Sequence, residues 1–405
     1  MIGPPPPDRA LTLAGTITMD RRDFLRSSLS AGAATGLLSG ATLFAPAAFA
    51  APKSPQDPDH INNAVVLAGD YMPRYNRDII ARVDQLLDQR DKSSDAYLKG
   101  GAVGDLEQRF ATLLGKEDAA FMPTGTLANQ VALRLLCGEH RRALVQQESH
   151  VYRDESDAVT TLSNINLLPL APGRASPSFE EVEAAVTLTE KGAYPLSVGA
   201  ISLESPVRRA DGAMLPYELV SKISALARSK GIGMHLDGAR LLLNSGAEGF
   251  SISKYSALFD TVYVSLYKYL GAPYGAILAG TKATIAKARE TRHLFGGTIY
   301  HGWEPALMAL GALDGFEQRF ARVRAAGDRL LEKLSAVEGF TIQRVEHGTN
   351  IHFLQIAANK QAGLKERLHK ANILIQDVEA GKLELGFNET LLRRDTDYIV
   401  KAFAG

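Results

Sequence analysis

Met234-His235-Leu236-Asp237-Gly238-Ala239-Arg240 and Ser265-Leu266-Tyr267-Lys268-Tyr269-Leu270-Gly271-Ala272-Pro273 are the segments whose reading decides the fold. An apolar run closes on Asp237, a helix-length segment follows, and a second apolar run closes on Lys268, 268 − 237 = 31 positions later. This reads as strand, helix, strand, with one charged side chain delivered at the C-terminal end of each strand. In an open α/β sheet, ligands bind outside those ends.

An acid and an amine delivered to one place suit a pyridine-ring aldehyde cofactor. The amine forms a Schiff base with the aldehyde, and a carboxylate facing the ring nitrogen keeps it protonated, so the ring accepts electrons from the substrate α-carbon. Taken singly, Asp237 reads as a helix cap and Lys268 as an exposed edge lysine; taken as a pair they favour the cofactor. His-Leu-Asp-Gly-Ala-Arg followed by Lys-x-Leu-Gly-Ala-Pro resembles the threonine aldolase and aromatic amino acid β-eliminating lyase family of fold-type-I pyridoxal-phosphate enzymes. The resemblance implies pyridoxal 5'-phosphate as cofactor. It makes Lys268 the Schiff-base lysine, Asp237 the partner of the pyridine nitrogen and Arg240 the neighbour of the phenolic oxygen.

A second motif supplies a phosphate cradle. Ala119-Ala120-Phe121-Met122 reads as a strand, Pro123-Thr124-Gly125-Thr126 as a turn and Leu127 to Leu136 as a helix. Such a turn gathers free backbone N–H groups and the positive end of the helix dipole, although a plain capped turn has the same pattern. The family resemblance assigns Gly125 and Thr126 to the cofactor phosphate. Arg142 to Gln146 reads as the next strand, with His150 just beyond it. By resemblance His150 stacks on the cofactor ring, where an aromatic face also excludes water.

The chain has 405 residues, 45% of them hydrophobic, enough for two domains with a large core. Lysine plus arginine equals aspartate plus glutamate, 45 each, so no net field draws in nucleic acid, and the expected partner is a small amino acid substrate. Residues 1–50 read as upstream extension and export signal: Asp20-Arg21-Arg22-Asp23-Phe24-Leu25 resembles a twin-arginine motif, a weakly apolar run follows, and Ala48-Phe49-Ala50 is a cleavage site. The expected natural start is Met19, and the expected location is periplasmic or secreted. The lone Cys137 reads as core. No later apolar run reaches the roughly 18 residues of a membrane span.

Residues 51–72 read as an extended arm, 73–302 as a large cofactor-binding domain, and 303–405 as a bridging helix with a small C-terminal domain. The expected fold class is α/β, with a mainly parallel doubly wound sheet in the large domain and an α+β arrangement in the small one. Ile79 to Leu87 and Leu106 to Leu113 carry helical spacing. Between them Gly100 to Gly104 reads as a glycine-rich loop, and the resemblance puts it and Tyr97 near a dimer partner's site. Further strands are read at Ile165–Leu170 and Val198–Glu204, each with a helix after it. Trp303 to Val337 reads as one long helical stretch. The last region carries strands at Phe340–Val345, Asn350–Ile356, Ile373–Val378 and Lys382–Phe387, with a helix at Gln361–Ala371.

The resemblance weakens where substrate is held. By the resemblance, the family's histidine for the substrate β-hydroxyl stands at the position of Val207, and its arginine for the amino acid carboxylate after the Gly-Gly turn is matched by Tyr300, beside His301. No counterpart of the family's C-terminal-domain arginine is found around Phe387 to Arg394. Arg208, Arg209 and Arg292 are candidates for the substrate carboxylate, and Tyr300 and His301 for another substrate group or a general acid. The reading is a lyase acting on an amino acid by retro-aldol or β-elimination chemistry, as a homodimer or tetramer. The alternative is an exported binding protein that keeps the fold without turnover. Nicotinamide and zinc chemistries are disfavoured, since neither G-x-G-x-x-G after a strand nor H-E-x-x-H occurs, and no metal ligand set is proposed.

Overall fold

A computed structural model describes residues 63–69, 75–90, 94–191, 194 and 196–405. The export-signal reading and most of the N-terminal arm fall outside the described residues. The site is positioned by a seven-stranded sheet with strands β2 (Asp118–Met122), β3 (Arg142–Gln146), β4 (Asn166–Leu170), β5 (Ala200–Glu204), β6 (Gly233–Asp237), β7 (Thr261–Ser265) and β8 (Ala276–Gly280). The order across the sheet is β2-β8-β7-β6-β5-β3-β4. Strands β7, β6, β5, β3 and β4 pair in parallel, whereas β8 runs antiparallel to both β7 and β2. The mainly parallel α/β expectation holds.

The local chemistry explains the layers. Strands β5, β7 and β8 are buried at every position, as sheets covered on both faces require. Strand β4 lies at the edge, which is where a proline such as Pro169 is tolerated in a sheet. Helix Gly125–Cys137 packs on the sheet through Ala128, Val131 and Ala132, and Cys137 is buried as expected. The register sets Glu204 of β5 beside Asp237 of β6, so two carboxylates leave the sheet at the same level.

Several elements depart from the sequence reading. Gly101 to Gly104 form the first turn of helix Gly101–Leu114, not a loop, because Gly100 and Gly101 take positive φ angles of 80° and 53° and turn the chain directly into the helix. The stretch from Trp303 is two helices, Trp303–Leu313 and Phe316–Ser335, separated where Gly315 takes a left-handed conformation. Gly363 likewise divides Ala358–Gln361 from Leu364–Lys370. Strand β8 was not anticipated. In the C-terminal region β9 (Phe340–Arg344), β10 (Ile351–Ile356) and β12 (Lys382–Gly386) form an antiparallel sheet of order β12-β10-β9. Of the strand expected at Ile373–Val378 only Ile373–Leu374 forms, as β11, and it pairs in parallel with β1, Val65–Val66.

Candidate active site

Asp237 ends β6, and Lys268 lies three residues beyond the end of β7 at Ser265. Both side chains are buried. Asp237 Oδ1 accepts from the Ala239 N–H at 3.2 Å, and Oδ2 accepts from Asn129 Nδ2 at 2.9 Å. The same Asn129 nitrogen donates to Glu155 Oε1 at 2.8 Å. With both amide hydrogens so placed, Asn129 Oδ1 is left facing His235 Nε2 at 2.9 Å, which must therefore carry the hydrogen. Thr261 Oγ1 completes the histidine at Nδ1, 2.8 Å away. Burial lowers the His235 pKa to about 4, consistent with a neutral ring.

His150 follows β3 and opens the single turn His150–Arg153. Its Nδ1 meets Glu155 Oε1 at 2.9 Å. That hydrogen bond is the largest influence on the imidazole and raises its pKa; burial opposes it, and the charges of Asp237, Glu155 and Glu204 reinforce it. Burial raises the Glu155 pKa in turn, despite the bonds from His150 and Asn129. Donor atoms of His150, Glu155 and Asp237 all lie within 4.8 Å of one another. Glu204 stands behind this group, with Oε2 accepting from the His150 N–H at 2.6 Å and Oε1 from the Arg208 N–H at 2.8 Å. Burial, then the Asp237 charge, pushes its pKa up to about 7. Arg240 is buried and acts electrostatically on Glu204.

The phosphate cradle is a helix start. Thr124 Oγ1 caps the Leu127 N–H at 3.1 Å, and Thr124 O accepts from Ala128 at 3.2 Å. Gly125 and Thr126 precede the first intrahelical donor, the Ala128 N–H, so their own N–H groups point outward from the positive end of the helix. A Cβ on Gly125 would lie 2.0 Å from Tyr263 Oη, so only glycine fits against that ring. Ser265 Oγ is buried without a hydrogen-bond partner among the described residues, three positions before Lys268. A buried acid, an amine, an imidazole, a helix start and an unpartnered hydroxyl suit a pyridoxal phosphate ring, aldehyde and phosphate.

Tyr300, His301, Arg292 and Arg209 have partners of their own. Tyr300 and His301 pack with ring centroids 4.1 Å apart and planes tilted by 55°, and Tyr97 packs edge-on against Tyr300 at 5.1 Å. Asp95 holds this loop pair together, accepting from the Gly302 N–H at 3.0 Å and from the Leu98 N–H at 3.1 Å. Arg292 is buried and donates to the Phe121 carbonyl, which makes it a support for β2 rather than an open anion site. Arg209 forms a two-pronged pair with Asp154, Nε to Oδ2 being 3.1 Å. Arg208 is exposed beside it. Val207 is fully buried. Asn129, Glu155 and Glu204 were not singled out from the sequence; the one signal available was the glutamate five positions after His150.

The sheet order, the acid and amine at adjacent strand ends and the helix-start cradle define a fold-type-I pyridoxal-phosphate enzyme. The family model described as beta-eliminating lyase matches residues 89–359, and the chain belongs to that family. It is a pyridoxal-phosphate-dependent lyase. It is 36% identical over 214 residues to the low-specificity L-threonine aldolase of Candida albicans, spanning 52% of this chain and 56% of that protein. It is 25% identical over 303 residues to low-specificity L-threonine aldolase 1 of Arabidopsis thaliana, spanning 74% of this chain and 85% of that one. A solved structure from Exiguobacterium sp. 255-15, assigned as an aromatic amino acid beta-eliminating lyase/threonine aldolase, superposes with a TM-score of 0.72 at 25% identity, covering 85% of this chain and 97% of that one.

Proposed function

We propose that this chain cleaves the Cα–Cβ bond of a β-hydroxy amino acid by retro-aldol chemistry, with β-elimination the other reaction open to the same site. The observation that carries the reading is the convergence of Asp237, His150 and Glu155, backed by Asn129, beside a helix-start cradle. When bound, pyridoxal phosphate supplies an electron sink for the bond broken at Cα.

The chain's own groups do the rest. Lys268 Nζ would hold the cofactor through its aldehyde and would carry the proton at the substrate Cα. Asp237, oriented by Asn129 and the Ala239 N–H, would hold a proton at the ring nitrogen. The N–H groups of Gly125 and Thr126, with Ser265 Oγ, would hold the phosphate, and Arg240 would pair with the phenolic oxygen. His150 would cover the ring face against water, and its second nitrogen would take the β-hydroxyl proton, because Nδ1 is engaged by Glu155. Buried Val207 offers no proton path. The non-catalytic alternative is not favoured, since the acid and the amine are retained in a family of lyases.

The test is the visible spectrum of purified protein before and after borohydride, with peptide mapping and an amino acid screen. A yellow band bleached by borohydride, with the adduct on Lys268 and turnover abolished in Lys268→Ala, is expected. Protein that stays colourless with added cofactor would refute the reading. We further propose a homodimer or tetramer, for which the exposed Tyr97 and Tyr300 offer an apolar face, and light scattering in solution tests it. Export by the twin-arginine route is proposed from Arg21-Arg22 and Ala48-Phe49-Ala50; N-terminal sequencing of the cell-fractionated protein decides it.

A further inference from the structure

We infer that Arg208 binds a carboxylate of the amino acid substrate. The inference rests on the lyase reading and adds the group that recognises the substrate's charge. Three arginines offered themselves for this task, and the fold commits two of them elsewhere. Arg292 is buried against the Phe121 carbonyl, and Arg209 is paired with Asp154. Arg208 is exposed, and its guanidinium makes no hydrogen bond or ion pair among the described residues.

Its backbone fixes where that guanidinium starts. The Arg208 N–H and the His150 N–H donate to the two oxygens of one carboxylate, Glu204, at 2.8 and 2.6 Å. Two hydrogen bonds and one carboxylate separate the two nitrogens, so they lie within about 8 Å of each other. An extended arginine side chain covers that distance. Electrostatics agrees: burial would raise the Asp154 pKa, but the Arg209 bond outweighs it, with His150 and Arg208 adding charge, and the carboxyl is held low. His150 and Arg208 therefore act on one carboxylate, that of Asp154.

The turn that presents Arg208 is stiff. Val207 N–H donates to Ala213 O, and Gly212 N–H donates back to Val207 O, each at 2.9 Å, enclosing the short 3-10 turn Arg208–Ala210. Thr349 Oγ1 donates to Gly212 O and the Met214 N–H to His347 O, also at 2.9 Å, which ties the turn to the C-terminal region. A planar fork on a rigid mount is suited to a carboxylate. That carboxylate is either the α-carboxylate or one on the substrate side chain.

The experiment is calorimetric titration of the cofactor-loaded wild type and of Arg208→Gln with glycine, L-threonine, 3-hydroxyaspartate and L-threoninol. The exposed, unpartnered side chain predicts an unchanged melting temperature for the variant. Loss of a charged hydrogen-bonded pair weakens binding roughly 10- to 100-fold. Weakening for all three amino acids, with threoninol unaffected, identifies the α-carboxylate; weakening for 3-hydroxyaspartate alone identifies a side-chain carboxylate. In turnover, KM rises while kcat changes little, and Arg208→Lys recovers part of the loss. Affinities unchanged to within about twofold for every ligand overturn the inference alone. A loaded wild type that binds none of the amino acids overturns the lyase reading as well.

Discussion

Asn129 and Asp237 stand 108 positions apart in the chain and meet at 2.9 Å, the carboxamide nitrogen donating to Oδ2. The contact is one link in a buried chain from Thr261 through His235 and Asn129 to both Asp237 and Glu155. Each member fixes the next one's donor or acceptor role, so the arrangement has little tolerance for substitution.

Removing the central amide tests this. In Asn129→Ala, the His235 Nε2–H loses its acceptor and two buried carboxylates each lose a donor. Unsatisfied buried groups cost about 1–3 kcal/mol each, so a loss of roughly 2–5 kcal/mol in urea unfolding is expected. Asn129→Asp sets a third carboxyl against Glu155 and Asp237, and should recover part of its loss on acidification, as the added group gains a proton it can donate. An aspartate variant insensitive to pH would contradict the bonding pattern.

The Glu155 bond is the leading cause of the raised His150 pKa. Glu155→Gln should therefore lower the imidazole titration midpoint, read by carbon NMR of labelled histidine. The sign for stability follows from linkage: a folded imidazole with a raised pKa contributes fully below its unfolded value near 6.5, and the contribution fades as pH rises through the folded value. An unmoved midpoint in the variant would show that Glu155 does not govern His150.

What could be read from the sequence were the pieces made by short stretches of chain. Asp237, Lys268 and the Gly125 turn each sit at the end of an apolar run, where strand and helix signals are local and strong. Asn129 and Glu204 stood within quoted motifs, yet their partners lie on other segments, and no periodicity encodes a side-chain bond spanning 108 or 54 positions. Strand β8 escaped notice because Ala-Ile-Leu-Ala-Gly is a short apolar run that suits helix and strand equally. The divided C-terminal helices turned on single glycines, Gly315 and Gly363, whose conformation sequence alone does not reveal. Arg209 and Arg292 looked equivalent to Arg208 until their partners were visible.

Glu204 makes a pH prediction of opposite sense to an ordinary surface carboxylate. Its folded pKa, about 7, lies above the usual 4.5, so the native state holds an extra proton between those values. Its contribution to stability is intact below pH 4.5 and declines as pH rises toward 7. Glu204→Gln should flatten the pH dependence of unfolding across this window, while losing one of the two bonds to the His150 and Arg208 N–H groups. A variant with the wild-type slope would assign that slope to another carboxyl.

Gly125 is the sharpest steric test of the phosphate cradle. A Cβ there would sit 2.0 Å from Tyr263 Oη and 2.5 Å from Cζ, and the phenol is buried on β7 with no room to withdraw. Gly125→Ala should cost about 1–3 kcal/mol or more by overpacking, and should shift the first N–H groups of helix Gly125–Cys137 off the phosphate. Adding Tyr263→Phe removes the hydroxyl but leaves the ring carbon, so the double variant should regain only part of the stability and of the cofactor affinity. Melting curves of the cofactor-free protein and fluorescence titration with pyridoxal phosphate separate the two effects. If Gly125→Ala melts with the wild type, the helix start and Tyr263 are not in contact; if it is destabilised yet binds cofactor as tightly as before, the phosphate sits elsewhere.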